Sequence, residues 1–449
     1  MVTKAQSLFY YIYRATSSGA YFIFNRITPL GILFLLLIVA NGIVFVTYYK
    51  LATLYLFSLL CGVLLFSIFT VFFKFSNVRV TRELPEIATI GKDLTYVIHY
   101  VNLGSTRLNS TLLHDLPVDS RPSRLEFIHA KEPKEDLRNA FDRIFVYYRW
   151  LWLCKKKTKF ESKPVTIPFT EKGGEGTLMM NCKPMNRGRL EFGNARLCQP
   201  DPLYLLQKFK FIKTIKDSVI VLPKRYMLSE QMIEGISRDQ VGGQSYSAKL
   251  GLSDDFRGLR EYRPGDSPKK IDWASWAKTG SPVVREYEDI SPLNYALVLD
   301  TNSSYDQIDR FEEAVSIAAS FARQLETQEC LIDLLFYSEN SQINTIRKDV
   351  VKSEGLLKKL STVEIENKPE WNELSKNVLR QSASFSICII VFTTLCEERK
   401  ELVQAWRQAG LNLLIIVLID DEDEKQEVIE LGASPVRIKY AQNDLLNVL

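Results

Sequence analysis

The chain has 449 residues, too many for one compact core, so two or more domains are expected. With 46% hydrophobic and 24% charged residues it is not a disordered chain, and a net charge of only +4 gives no basis for a nucleic-acid partner. Seven cysteines without a C-x-x-C pair and three scattered histidines argue against a disulfide framework, a zinc ribbon or a histidine metal cluster, and fit a reducing compartment.

Residues 1–28 include "SLFYYIYRATSSGAYFIF", which either lies in a membrane interface or forms a cytoplasmic helix packed on the rest of the chain. Residues 29–75 read as a transmembrane helical hairpin. The runs 29–49 and 51–73 carry no charge, and Lys50 alone separates them. At about 1.5 Å per residue, roughly 20 residues cross a hydrocarbon core of about 30 Å. Lys4, Arg14 and Arg26 precede the hairpin, and Lys74, Arg79 and Arg82 follow it. This bias places both termini and the soluble domains in the cytoplasm. A cleaved signal peptide fits poorly, because the preceding segment is long and no small-residue cleavage site precedes the second run.

Residues 76–223 read as a β-sandwich. Segments such as "LTYVIHYVNLGST", "PVTIPFT" and "GTLMMNCKP" alternate, and turn clusters such as "EKGGEG" separate them. The aromatic segment 143–153, "RIFVYYRWLWL", also reads as a strand, packed in the core or touching a membrane surface. Residues 224–293 form a connector that contains "DDFRGLREYRPGDSPKKIDWASWAKTG". From 294 to 449 strands alternate with helices, which predicts a doubly wound α/β domain with a mostly parallel sheet.

Ligands on such sheets bind beyond the carboxyl ends of the strands, which directs attention to "DTNSS" at residues 300–304. That segment has no glycine, so a dinucleotide turn does not fit, and the domain has no histidine for a Ser-His or Cys-His triad. The oxygens of Asp300, Asn302 and Ser304 suit a hard cation such as Mg2+.

"DTNSS" after a buried first strand resembles the metal-ion-dependent adhesion site of von Willebrand factor type A domains, D-x-S-x-S. The connector resembles the signature of the bacterial family called domain of unknown function fifty-eight, through Phe256, Gly258, Arg260, Tyr262, Gly265, Asp266, Ile271, Asp272, Trp273 and Ala277. Arg187, Gly188, Asp201 and Pro202 match an upstream segment of that family. The resemblance implies a protein of the bacterial inner membrane with a cytoplasmic type A-like domain, working with a MoxR-type AAA+ ATPase in complex assembly or envelope maintenance. It also implies a later threonine at the metal site, for which Thr362 is the candidate. Asn302 stands in place of the pattern's first serine, and "VFTTLC" ends the third strand without the aspartate the pattern calls for.

In "RPGD", Pro264 presets φ and Gly265 is free to take positive φ, as a type II turn requires. Asp266 can accept from nearby backbone or from Lys269. Asp272 is placed to cap a short helix over 273–279, with Gly280 after it, and Trp273 and Ala277 are placed to pack on one face. The segment can brace two domains or act as a recognition surface. If it were helical, Arg257, Arg260 and Arg263 would line one edge facing a carboxylate-rich partner, with Lys269 and Lys278 keeping the charge where the family has arginine. The expected function is a non-enzymatic, membrane-anchored adaptor. The alternatives are a metal-dependent hydrolase centred on Asp300 with Asp266 or Asp272, or a purely structural envelope protein.

Overall fold

The computed structural model describes residues 2–72, 77–105, 107–132, 135–215, 217–228, 256–287, 294–302, 307–327, 331–336, 346–347, 353–365, 371–382, 385–420 and 423–447. The chain divides into two compact units, Met1–Lys224 with Lys358–Thr362, and Arg225–Leu357 with Val363–Leu449.

The first unit opens with three helices, α1 (Val2–Phe24), α2 (Pro29–Tyr48) and α3 (Leu51–Val71). The Thr28 side chain accepts from the Gly31 amide at 3.0 Å, and Pro29 follows at the first helical position, so the start of α2 is both capped and preset. Among the described residues of α2 and α3 only Gly31, Leu60 and Ser67 are buried. A helix that is apolar all round and unburied needs an apolar solvent. Both helices are long and apolar enough to cross a membrane.

Ten strands follow: β1 (Val78–Glu83), β2 (Ile87–Thr89), β3 (Leu94–Asn102), β4 (Thr111–Pro117), β5 (Phe160–Ser162), β6 (Val165–Ile167), β7 (Glu175–Pro184), β8 (Gly188–Pro200), β9 (Gln207–Ile212) and β10 (Ser218–Leu222). One sheet runs β1-β3-β7-β5 and the other β2-β10-β8-β4-β6, with β9 also on β8. Along β3 the predicted alternation holds, and Leu94, Tyr96, Ile98 and Tyr100 join one core with Leu113, Phe192, Leu197 and Val221 of the second sheet. Arg82 of β1 bridges the sheets. Its side chain meets Asp115 of β4 at 2.5 Å, and both side chains are fully buried. Tyr96 donates to the same carboxylate at 2.8 Å. Burial and that carboxylate push the Tyr96 phenol far above its ordinary range.

The strand expected over 143–153 is instead helical. Helices α4 (Arg124–His129), α5 (Ala140–Phe145) and α6 (Tyr147–Lys157) are inserted between β4 and β5. Val146, Trp150 and Leu153 recur at helical spacing and form a separate core with Phe127 and Tyr10 of α1. Of the two placements open for the N-terminal segment, α1 is thus a helix packed on the rest of its unit.

In the second unit, β11 (Phe256–Glu261) pairs antiparallel with β12 (Val283–Tyr287), and helix α7 (Trp273–Thr279) lies between them. The larger sheet follows the order β15-β14-β13-β16-β17-β18. Its strands are β13 (Asn294–Leu299), β14 (Leu331–Leu335), β15 (Ile346–Arg347), β16 (Ile387–Phe392), β17 (Leu413–Ile419) and β18 (Ser434–Arg437). All pairings are parallel except that of β15 with β14, so the sheet is mixed. Helices α8 (Ile308–Thr327), α9 (Ser353–Thr362), whose last five residues are assigned to the first unit, α10 (Trp371–Arg380), α11 (Glu397–Gln408), α12 (Asp423–Glu430) and α13 (Ala441–Asn447) follow. Phe311, Ala314, Val315, Ala318, Ala322 and Leu325 of α8 are buried, as their spacing predicts. The last strand is shorter than expected, because 438–440 turn into a 3-10 helix.

Candidate functional site

The signature stretch is a β-ribbon with a structured insert, so the three arginines do not line a helix edge. Asp266 accepts both arms of the Arg260 guanidinium, each at 2.8 Å, and the Arg263 amide at 2.8 Å. A planar fork on a carboxylate fixes direction as well as charge. The Asp266 amide donates back to the Arg263 carbonyl at 3.0 Å, and Gly265 sits at φ 111°, closing the "RPGD" turn with the positive φ expected of it. The partner of Asp266 is therefore Arg260 and not Lys269. The Arg260 hydrogen bonds hold the Asp266 carboxyl down at about 2. The Arg257 side chain lies outside the described residues.

Asp272 caps α7 as expected, accepting from Ala274 and Ser275 amides at 3.1 Å each. Its other oxygen takes Arg285 Nε of β12 at 2.8 Å. These amides and Arg285 lower its carboxyl as well. Gly280 ends the helix at φ 75°, and the Tyr262 amide donates to the Pro282 carbonyl at 2.9 Å, closing the insert onto the ribbon. Gly258 lies where the β11–β12 register shifts.

Trp273 and Ala277 do not pack inward. Both are exposed, and the Trp273 ring stacks on Trp276 at 5.3 Å between centroids. Arg263, Pro264, Lys269 and Lys278 are exposed as well. Residues 256–287 hold seven basic and four acidic side chains. Asp266 and Asp272 are paired with Arg260 and Arg285, and among the described side chains of the segment Arg263, Lys269 and Lys278 are exposed. The frame is closed by hydrogen bonds, and Arg263, Lys269, Lys278 and the Trp273 indole are exposed on it.

Asp300 follows the central strand β13 and is fully buried. Its carboxylate accepts the Asn302 amide at 2.9 Å, the Thr393 amide at 3.2 Å and the Thr393 hydroxyl at 3.0 Å. It also meets the guanidinium of Arg399, in the first turn of α11, at 2.6 Å. Arg399 is itself only 5% exposed and donates to the Asn302 carbonyl at 2.9 Å and the Thr394 hydroxyl at 2.5 Å. Complete burial raises the Asp300 carboxyl, while Arg399 and the amides pull it back.

A protein cation thus stands against the carboxylate that was expected to bind Mg2+. Asn302 contributes its backbone amide and carbonyl to the cluster. The Thr362 hydroxyl donates to the Lys359 carbonyl of its own helix at 2.9 Å. Ser304 lies outside the described residues, among which no group of three or more His, Cys, Asp or Glu could hold a metal ion. Among the described donors, Asp300 is taken up by Arg399 and Thr393, and Thr362 by its own helix, which falls short of the near-octahedral oxygen ligation Mg2+ demands. Sequence reasoning missed Arg399, which sits in the charge-rich "EERKEL" as one of several ordinary helix cations. Its place just beyond the end of strand β16, beside the Asp300 loop, was the available signal.

A curated relative, the uncharacterized protein YeaD of Bacillus subtilis (strain 168), is 31% identical over 138 residues, covering 30% of this chain and 32% of the relative. The matched region thus spans about a third of that relative's length, 32%. Among solved structures, the CARDB domain of the PF1109 protein from Pyrococcus furiosus covers 33% of this chain and 91% of its own at 15% identity, with a TM-score of 0.18. The ASH/PapD-like domain 7 of human CEP192 covers 32% of this chain and 84% of its own at 12% identity, also with a TM-score of 0.18. Scores this low carry no argument about the fold. Residues 258–441, which begin inside the signature ribbon and end at the start of α13, match the family described as "Protein of unknown function DUF58".

Proposed function

We propose that this chain is a non-enzymatic, membrane-anchored adaptor whose signature ribbon docks a carboxylate-rich partner protein. The observation that carries this reading is the ribbon itself. Two aspartate–arginine locks fix the frame, and Arg263, Lys269, Lys278 and Trp273 are left on its outside. Tryptophan and arginine are the side chains that dominate well-packed protein interfaces. The family resemblance suggests a MoxR-type AAA+ ATPase as the partner, and a von Willebrand factor type A-like reading of the α/β unit is compatible with its parallel central strands. On the basic residues flanking the hairpin, both termini and the soluble units face the cytoplasm of a bacterial cell membrane.

The alternative, a hydrolase centred on Asp300, is the less favoured reading. Asp300, Asp266 and Asp272 each have a guanidinium partner. The purely structural reading leaves the cationic ribbon without a role. Site-specific photocrosslinking from position 273 in native membranes tests the adaptor. The expected product is a crosslink to an AAA+ ATPase that disappears in Lys269→Glu/Lys278→Glu. A crosslink pattern unchanged by that charge reversal, or no ATPase adduct at all, refutes the proposal.

A further inference from the structure

Residues 201–206, "DPLYLL", form a loop of the sheet-rich region bonded directly to the base of the apolar hairpin. Thr28, the cap of α2, donates its amide to the Leu205 carbonyl at 3.1 Å and its hydroxyl to the carbonyls of Tyr204 and Leu205. Gly31, in the first turn of α2, lies so close that a Cβ there would stand 2.0 Å from the Leu205 oxygen. At the other helix, buried Ser67 donates to the Asp201 carboxylate at 2.7 Å, one turn before the end of α3. The loop therefore sits beside both helices inside their ends, and Leu203 lies in a groove with Leu59, Gly62 and Phe66 of α3.

Several of the loop's backbone groups are bonded within the protein. The Asp201 amide donates to the Leu206 carbonyl at 2.9 Å, the Tyr204 amide to the Asp201 carbonyl at 3.0 Å, and the Leu206 amide to the Asp201 carboxylate at 2.9 Å. Pro202 has no N–H, and Thr28 covers the carbonyls of Tyr204 and Leu205. Irregular backbone is tolerated at membrane depth only when its hydrogen bonds are made within the protein. Leu203 is 39% and Tyr204 52% exposed, and the Tyr204 hydroxyl donates to Ser110 Oγ at 3.4 Å. Tyr204 sits at φ 56°, in the left-handed region that a non-glycine residue rarely adopts. An amphipathic ring at the headgroup level is where tyrosine is enriched.

We infer that the 201–206 loop is a lipid-binding tip, which inserts Leu203 and Tyr204 into the boundary between headgroups and acyl chains and so fixes the sheet-rich region to the bilayer. This rests on the reading of the hairpin as membrane-spanning. The test places the photoreactive residue p-benzoylphenylalanine singly at Leu203, Tyr204, Leu36 or Lys172 of the full chain in phosphatidylcholine vesicles. Intact-mass measurement after irradiation detects phospholipid adducts. Leu36, in the middle of α2, reports the hairpin, and Lys172, on an exposed turn, reports water. The proposal expects adduct yields at 203 and 204 comparable to that at 36 and well above 172. Adducts at 36 but not at 203 and 204 overturn the lipid tip and leave the hairpin standing. Adducts at none of the positions overturn the hairpin reading and the tip with it. Crosslinked dimers from 203 and 204 in place of lipid adducts also overturn it, making the loop a contact between copies. If the Leu203 variant fails to fold, Tyr204 carries the same readout.

Discussion

Asp300 and Asp266 are both aspartates held by arginine, and the protein uses them in opposite ways. The Asp300–Arg399 pair is sealed, with side chains 0% and 5% exposed, at the end of the central strand of the larger sheet. The Asp266–Arg260 pair keeps 18% and 22% of its side-chain surface and closes a turn beneath an exposed cationic surface. In the first, burial makes each charge depend on the other. In the second, water shares the charges, and the pair's contribution is geometric. The same chemistry therefore plugs one site and frames another.

The sharpest way to break this contrast is to remove one partner of the sealed pair. Arg399→Ala leaves a buried carboxylate unpaired, and a loss of about 3–5 kcal/mol is expected. Denaturant unfolding of the full chain in detergent measures it. Asp300→Asn combined with Arg399→Met should recover much of that loss, since replacing a whole buried pair is far milder than halving it. A single-variant loss no larger than about 0.5 kcal/mol, the usual size for a surface change, would mean the pair is not sealed.

Next in size is Gly265→Ala. At φ 111° a Cβ strains the turn by on the order of 1–2 kcal/mol. The readout is faster hydrogen exchange at the Asp266 and Tyr262 amides, with the α/β strands unchanged. Equal loosening of β13 and β16 would contradict a local role.

A subtler change comes with pH. Because the folded carboxyl of Asp266 sits near 2 rather than the ordinary 3.8, its contribution to the turn is complete above 3.8. It is lost as pH falls through about 2. Carboxyl NMR titration should give a midpoint near 2 in the native chain and an ordinary one in Arg260→Ala. An ordinary midpoint in the native chain would show that the fork does not persist in solution.

The smallest structural effect belongs to Lys269→Glu with Lys278→Glu. Both side chains are exposed, so stability should stay within about 0.5 kcal/mol. Partner capture alone should fall.

Much of this contrast was legible in the sequence on one side only. Pro264, Gly265, Asp272 and Gly280 announce a turn and a capped helix because their chemistry is local, and Gly265, Asp272 and Gly280 each take the conformation their type favours. The uncharged runs of the hairpin and the alternation of β3 are legible for the same reason. What failed depended on distant partners. Aromatic alternation over 143–153 suggested a strand. The buried set Val146, Trp150 and Leu153 follows helical spacing, and its partner Tyr10 comes from a helix more than a hundred residues earlier. Arg260 was read as a free edge because nothing in a strand-or-helix pattern tells that Asp266 folds back onto it. Arg399 looks like its charged neighbours until the sheet brings it against Asp300, and Arg82 is equally silent about Asp115. Long-range ion pairs leave no period in a sequence.

Calorimetric titration of the full chain with Mg2+, with Asp300→Asn as control, tests the central claim most directly. With Arg399 already against the carboxylate, the account predicts no saturable binding at millimolar Mg2+ and identical traces for the two proteins. One-to-one binding in the native chain that Asp300→Asn abolishes would contradict it.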